Sequence, residues 1–240
     1  MIFFIHIPKT AGSTLSSIFS KNYSPKETYH TSNGLLSNVL KEINGLPVNR
    51  KNNIKLVWGH MQFGIHSAFP YEMKPQYFTF IRNPVDRIIS HYYYVQRNPD
   101  HYLYKKVQRE KMKLEDYVTS GISSELNNGQ TRLLSSEKLV TSSVNKYGSN
   151  RDEILQEALK NIEQFQIFIG IQEYFNKSVS RLSKIYNWHD TEYEVKNVGE
   201  YKSSLQLSKE TISVIEEYNQ LDIKLYNYSL KIFQDNKPIS

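Results

Sequence analysis

Ile2-Phe3-Phe4-Ile5-His6-Ile7-Pro8-Lys9-Thr10-Ala11-Gly12-Ser13-Thr14 is the stretch that decides how this chain folds. Its apolar start predicts a fully buried strand. Pro8 to Gly12 predicts a tight turn. Leu15, Ile18 and Phe19 then recur at helical spacing, so a helix is expected from about Ser13. A strand, a turn of small residues and a helix together make a phosphate cradle. The first helical turn has backbone N–H groups with no partner inside the helix, and the helix dipole favours an anion there. Lys9 adds a full positive charge, and Ser13 and Thr14 add hydroxyls. The loop is not a Walker A sequence. It has one glycine, and its lysine precedes the turn. These residues alone leave two readings open: an anion cradle, or an ordinary strand-turn-helix with an exposed lysine.

Working outward, four more strands are expected. Glu27–Thr31 is a short one; Lys55–His60, Tyr77–Ile81 and Gln166–Gly170 are clearer. Helical spacing recurs over Leu35–Ile43, from Asn150 through Ile162, over Ile171–Tyr186, and from a Ser208 cap to about Phe233. The helix after Ile81 is the best marked. Asn83 suits the N-cap, Pro84 the first helical position and Asp86 the first turn, while Val85, Ile88, Ile89 and Tyr92 form a buried stripe. No repeat or linker divides the chain, so residues 1–240 are expected to form one domain. The fold class is α/β: a P-loop-like central parallel sheet of four to five strands, flanked by helices on both faces.

Composition narrows the function classes. The 240 residues carry 30 Lys and Arg against 24 Asp and Glu, a net charge of +6. That suits an anionic ligand. No zinc-finger spacing or long basic helix points to nucleic acid. Cysteine is absent, which excludes disulfides and thiolate metal sites. No carboxylate cluster suggests a metal. No apolar run approaches the roughly 20 residues of a membrane span. The first strand starts at once, so a cytoplasmic protein without a leader is expected.

Four further residues are candidates on chemistry. In open α/β sheets, catalytic groups collect at the carboxyl ends of strands. His60 sits there, after Gly59, with His66 as a second candidate nearby. Arg82 ends the next strand and Ser90 follows two helical turns on. Together they suit a phosphate clamp, with a forked donor and a hydroxyl. The basic, aromatic run Tyr94–Lys113 is either a solvated face or the border of a groove for an acidic glycan.

These segments resemble one family. Ile5–Thr14 is similar to the 5′-phosphosulfate loop of sulfotransferases that use 3′-phosphoadenosine 5′-phosphosulfate (PAPS), nearest to the carbohydrate branch with the heparan sulfate 2-O-sulfotransferases. Arg82-Asn83-Pro84-Val85-Asp86-Arg87, followed by Ser90, resembles their 3′-phosphate motif, and Gly59-His60 resembles their catalytic Gly-His. Asn128–Arg132 and Gly170-Ile171-Gln172-Glu173 resemble further segments. The resemblance implies sulfuryl transfer from PAPS to a carbohydrate hydroxyl, without a metal. Lys9, Thr10, Ala11, Gly12, Ser13 and Thr14 would hold the 5′-phosphosulfate, and Arg82 and Ser90 the 3′-phosphate. Lys202, in the loop 196–202, would close over the nucleotide. His60 would be the base, and Arg132 and His66 would reach the acceptor. Trp58 stands where those relatives carry another histidine. The rival readings are a P-loop kinase or NTPase, and a non-catalytic nucleotide- or RNA-binding protein.

Overall fold

A computed structural model describes residues 1–31, 35–70, 74–135, 152–193 and 207–235. Five strands form one parallel sheet. They are β1 (Ile2–Ile5), β2 (Thr28–Thr31), β3 (Leu56–Gly59), β4 (Gln76–Ile81) and β5 (Phe168–Ile171), in the spatial order β2-β3-β1-β4-β5. β1 is central. Phe4 lies level with Trp58 of β3 and Phe78 of β4. An all-parallel sheet is covered on both faces, so its inner strands read as near-continuous apolar runs. Phe3, Phe4, Ile5, Phe78 and Phe80 are accordingly buried.

Helix α1 (Gly12–Asn22) packs Leu15, Ile18 and Phe19 onto one face, against Ile2, Phe4, Phe78 and Trp188. The other face carries Phe3, Ile5, Val57 and Tyr77. It is covered by α2 (Leu36–Asn44), α8 (Asp152–Gln164) and α11 (Gln220–Gln234), through residues such as Val39, Ile43, Ile162, Leu225 and Phe233. A third apolar cluster joins α4 (Pro84–Arg97) to α5 (Tyr104–Arg109), α6 (Leu114–Thr119) and α10 (Lys209–Tyr218). The helix α3 (Val48–Asn53) and the short α7 (Gly129–Leu134) complete the set with α9 (Phe175–Tyr186). Among the described residues, no helix is long and apolar enough to cross a membrane.

The expected α/β sheet is present with five strands. Asn83 caps α4 as expected: its side chain accepts from the backbone N–H groups of Val85 and Asp86. Two boundaries differ. Ile171 pairs with Ile81 and so belongs to β5, and a single tight turn at Gln172–Tyr174 precedes α9. The long C-terminal helical region is two helices that break at Asn219. That side chain donates to the carbonyls of Leu126 and Ile215 and accepts from the Asn128 N–H, so partners elsewhere in the chain hold the break. The expected helix start at Asn150 and the loop with Lys202 lie outside the described residues.

Candidate active site

All five strands run in parallel, so their carboxyl ends share one edge. The loops after β1, β3 and β4, on adjacent strands, bring Lys9, His60 and Arg82 to the same crevice. Lys9 and Ala11 have left-handed backbones, with φ of 71° and 73°. For residues with a Cβ this costs roughly 1–2 kcal/mol each. Between them Thr10 is fully buried, and its hydroxyl donates to the Ile7 carbonyl at 2.8 Å, which pins the turn. Ala11 is the N-cap of α1 and offers no side-chain acceptor. The helix end therefore turns backbone N–H groups, uncapped by a side chain, into the crevice.

Positive charge converges on that end. The Arg82 guanidinium donates through Nη1 to the Lys9 carbonyl at 3.4 Å. Burial, with Arg82 and Arg97 nearby, pulls the Lys9 ammonium down to about 8. Its Nζ lies 3.9 Å from the centre of the Tyr94 ring. A lysine crowded by two arginines marks a place where a multivalent anion belongs. Ser90 is buried on the second turn of α4.

His60 is oriented rather than loose. Its Nδ1 lies 2.8 Å from the His6 backbone carbonyl. A carbonyl only accepts, so Nδ1 carries the hydrogen, and in the neutral ring the lone pair is on Nε2. The His6 ring stacks on His60 at 4.2 Å. Burial first, then His60, His30 and Lys9, depress His6 to about 3, so it stays neutral. His6 also explains Gly12. A Cβ at residue 12 would lie 1.8 Å from His6 Nε2.

Three residues of the quoted segments have roles that the sequence did not show. His6 stands beside His60 because Ile5 pairs with Gly59, so the next residue of each strand also aligns. That signal becomes readable once β1 and β3 are known to be neighbours. Trp58 instead packs on His30, with ring centres 4.2 Å apart. Gln130 is the second missed residue. Its amide accepts from the Arg82 N–H at 2.9 Å and donates to the Arg82 carbonyl at 3.0 Å. Asp222 in turn accepts from the Gln130 N–H. Arg87 is the third. It is fully buried, 3.6 Å from Asp222, and donates to the Glu125 carbonyl, so it anchors α4.

Two sequence candidates are not brought to the crevice. Arg132 is buried, and its guanidinium donates to the Asn127 carbonyl and side chain at 2.8 and 3.1 Å. His66 bonds the Tyr77 hydroxyl at 2.9 Å and packs on Phe63 and Phe165. Tyr77 lies level with Phe3, on the sheet face turned away from α1, whereas His60 stacks over the α1 face through His6 and Phe4.

Residues 1–229 match the sulfotransferase family. The chain belongs to that family. A curated relative, heparan sulfate 2-O-sulfotransferase 1 of Xenopus laevis, is 25% identical over 132 residues, covering 50% of this chain and 37% of that protein. The alignment thus spans little more than a third of the relative's length. A solved structure, mouse sulfotransferase SULT7A1 complexed with PAP, is similar over 98% of this chain and 88% of its own, at 12% identity and a TM-score of 0.41. In this chain, Gly12→Ala is expected to push His6 off its stack on His60. Overpacking costs typically 1–3 kcal/mol, so a lower melting temperature is expected, with weaker nucleotide binding in a titration. An unchanged melting temperature and affinity would show that the close approach is unimportant.

Proposed function

We propose that this enzyme moves the sulfuryl group of PAPS to a carbohydrate hydroxyl. The observation that carries the proposal is the convergence of the Lys9 loop, the Arg82 guanidinium and the α1 N-terminus at one crevice. Such a site suits a ligand with two phosphorylated positions. In this reading Lys9 and the backbone N–H groups of Thr10 to Thr14 hold the 5′-phosphosulfate. Arg82 and Ser90 hold the 3′-phosphate, and Lys202 adds a contact from its loop. Catalysis is positioning plus charge stabilisation. The acceptor oxygen forms a bond to sulfur as the bond from sulfur to the 5′-phosphate oxygen breaks. His60 Nε2 takes the acceptor proton, and Lys9 stabilises the charge left on the 5′-phosphate. The carbohydrate acceptor is supported by the relative named for heparan sulfate.

A nucleotide comparison tests the assignment. Arg82→Ala is expected to weaken binding of 3′-phosphoadenosine 5′-phosphate (PAP) by roughly 1.5–3 kcal/mol, the worth of a charge-assisted contact. Adenosine 5′-phosphosulfate has no 3′-phosphate and should lose far less. Equal losses for both nucleotides in calorimetry would remove Arg82 from the 3′-phosphate site.

A further inference from the structure

One charged group in this region has no part in the mechanism above. Glu125 lies in a short turn, Ser124–Leu126, packed against α4 through Arg87 and His91. Its backbone is fixed at both ends: the N–H donates to Ser123 Oγ at 3.2 Å, and the carbonyl accepts from Arg87 Nη2 at 2.7 Å. Its Oε2 is 2.8 Å from Nε2 of the buried His91. His91 Nδ1 is 2.8 Å from the Tyr117 hydroxyl. Burial keeps both Tyr117 and His91 neutral. The phenol therefore donates to Nδ1, and Nε2–H donates to the carboxylate. Burial works to raise the Glu125 carboxyl, but His91, Arg87 and His60 outweigh it and hold the group below its usual range. Glu125 is thus a fixed, ionised carboxylate.

It is nevertheless open on one side. The side chain is 32% exposed, and Oε1 makes no hydrogen bond among the described residues. An unbroken run of ring contacts joins it to the catalytic lysine. His91 meets His101, His101 meets Tyr94, and Tyr94 carries Lys9 Nζ over its ring. The carboxylate is therefore linked to the cationic loop through three rings, and it is not among the groups assigned to the nucleotide.

We propose that Glu125 Oε1 accepts a hydrogen bond from a second hydroxyl of the acceptor sugar, so that the site prefers a neutral ring over one bearing a carboxylate or sulfate at that position. The proposal rests on the carbohydrate reading above and narrows it. A hydroxyl facing Oε1 makes a charge-assisted bond. An anion there meets like charge in a partly desolvated site.

The test uses two matched acceptors: a neutral β-linked glucose trisaccharide, and the same sugar oxidised to carboxylates at C6. Glu125→Gln keeps the size of the side chain and its bond to His91. With the neutral sugar, the variant is expected to lose about tenfold or more in kcat/KM, as for loss of a charge-assisted contact. With the oxidised sugar it should lose nothing or gain, so the preference collapses. PAP affinity and melting temperature should not move. Equal losses on both sugars, no change on either, or a fall in PAP affinity with melting temperature would each overturn the proposal and leave the sulfotransferase reading standing. If the native enzyme binds PAP but sulfates neither sugar, the carbohydrate reading falls and this proposal falls with it.

Discussion

His60→Ala is expected to lower sulfuryl transfer by about two to four orders of magnitude, the usual worth of a general base. PAP affinity should hardly change, because His60 is bonded to the His6 carbonyl and not assigned to the nucleotide. The geometry makes the expectation specific. The carbonyl fixes the hydrogen on Nδ1, so the lone pair sits on Nε2, and the neutral His6 ring holds the imidazole by stacking without adding a competing charge. His66→Ala is the control. Its imidazole bonds Tyr77 on the other face of the sheet, so turnover should stay near normal. If turnover in the His60 variant stays near the native value, the proton goes elsewhere.

Lys9→Ala should show the second large effect. Removing one donor from a site where charge develops costs about 10²–10³ in rate. The variant should also bind PAP more weakly. Lys9 makes a pH prediction as well. Its ammonium is held down to about 8 by burial and by Arg82 and Arg97. A lysine is charged below its pKa and neutral above it, and the ligand is an anion. PAP affinity should therefore hold below about pH 8 and fall as pH rises through that value, by at most tenfold per unit. Arginine keeps its charge over this range. Lys9→Arg should therefore flatten the profile, even if the changed shape weakens binding overall. Calorimetric titrations between about pH 7 and pH 9.5 would read this directly. A flat native profile, or the same decline in Lys9→Arg, would show that another group sets the dependence.

Parts of the site were legible because their signals are local. The apolar run Ile2–Ile5 and the spacing of Leu15, Ile18 and Phe19 lie within a few residues of the loop they frame, and β1 and α1 form there. Asn83, Pro84 and Asp86 start α4 by contacts confined to one helical turn. What stayed hidden depends on long-range pairing. His6 meets His60 only because β1 and β3 are neighbours in register, and no local pattern states strand order. The segment Asn128–Arg132 stands out by resemblance alone, which implies a contact from Arg132 to the acceptor. In the folded chain Arg132 is consumed by Asn127, and Gln130 grips the Arg82 backbone instead. Asn219 breaks the last helical region because Leu126 and Asn128, some ninety residues earlier in the chain, meet its side chain. Glu125 carries no local signal in the sequence. Its setting is made by His91 and Arg87 on one helix and His60 on another loop.

Sulfuryl transfer in the crevice can be read in one assay. The direct measurement incubates the native protein with PAPS carrying radiolabelled sulfur and a neutral oligosaccharide, and follows label and nucleotide together. The label is expected to appear on the sugar in step with PAP release, and the His60→Ala protein should bind PAP yet move almost no label. Binding of PAP with no label on any carbohydrate offered, or transfer of the γ-phosphate of ATP to the sugar in its place, would contradict the account.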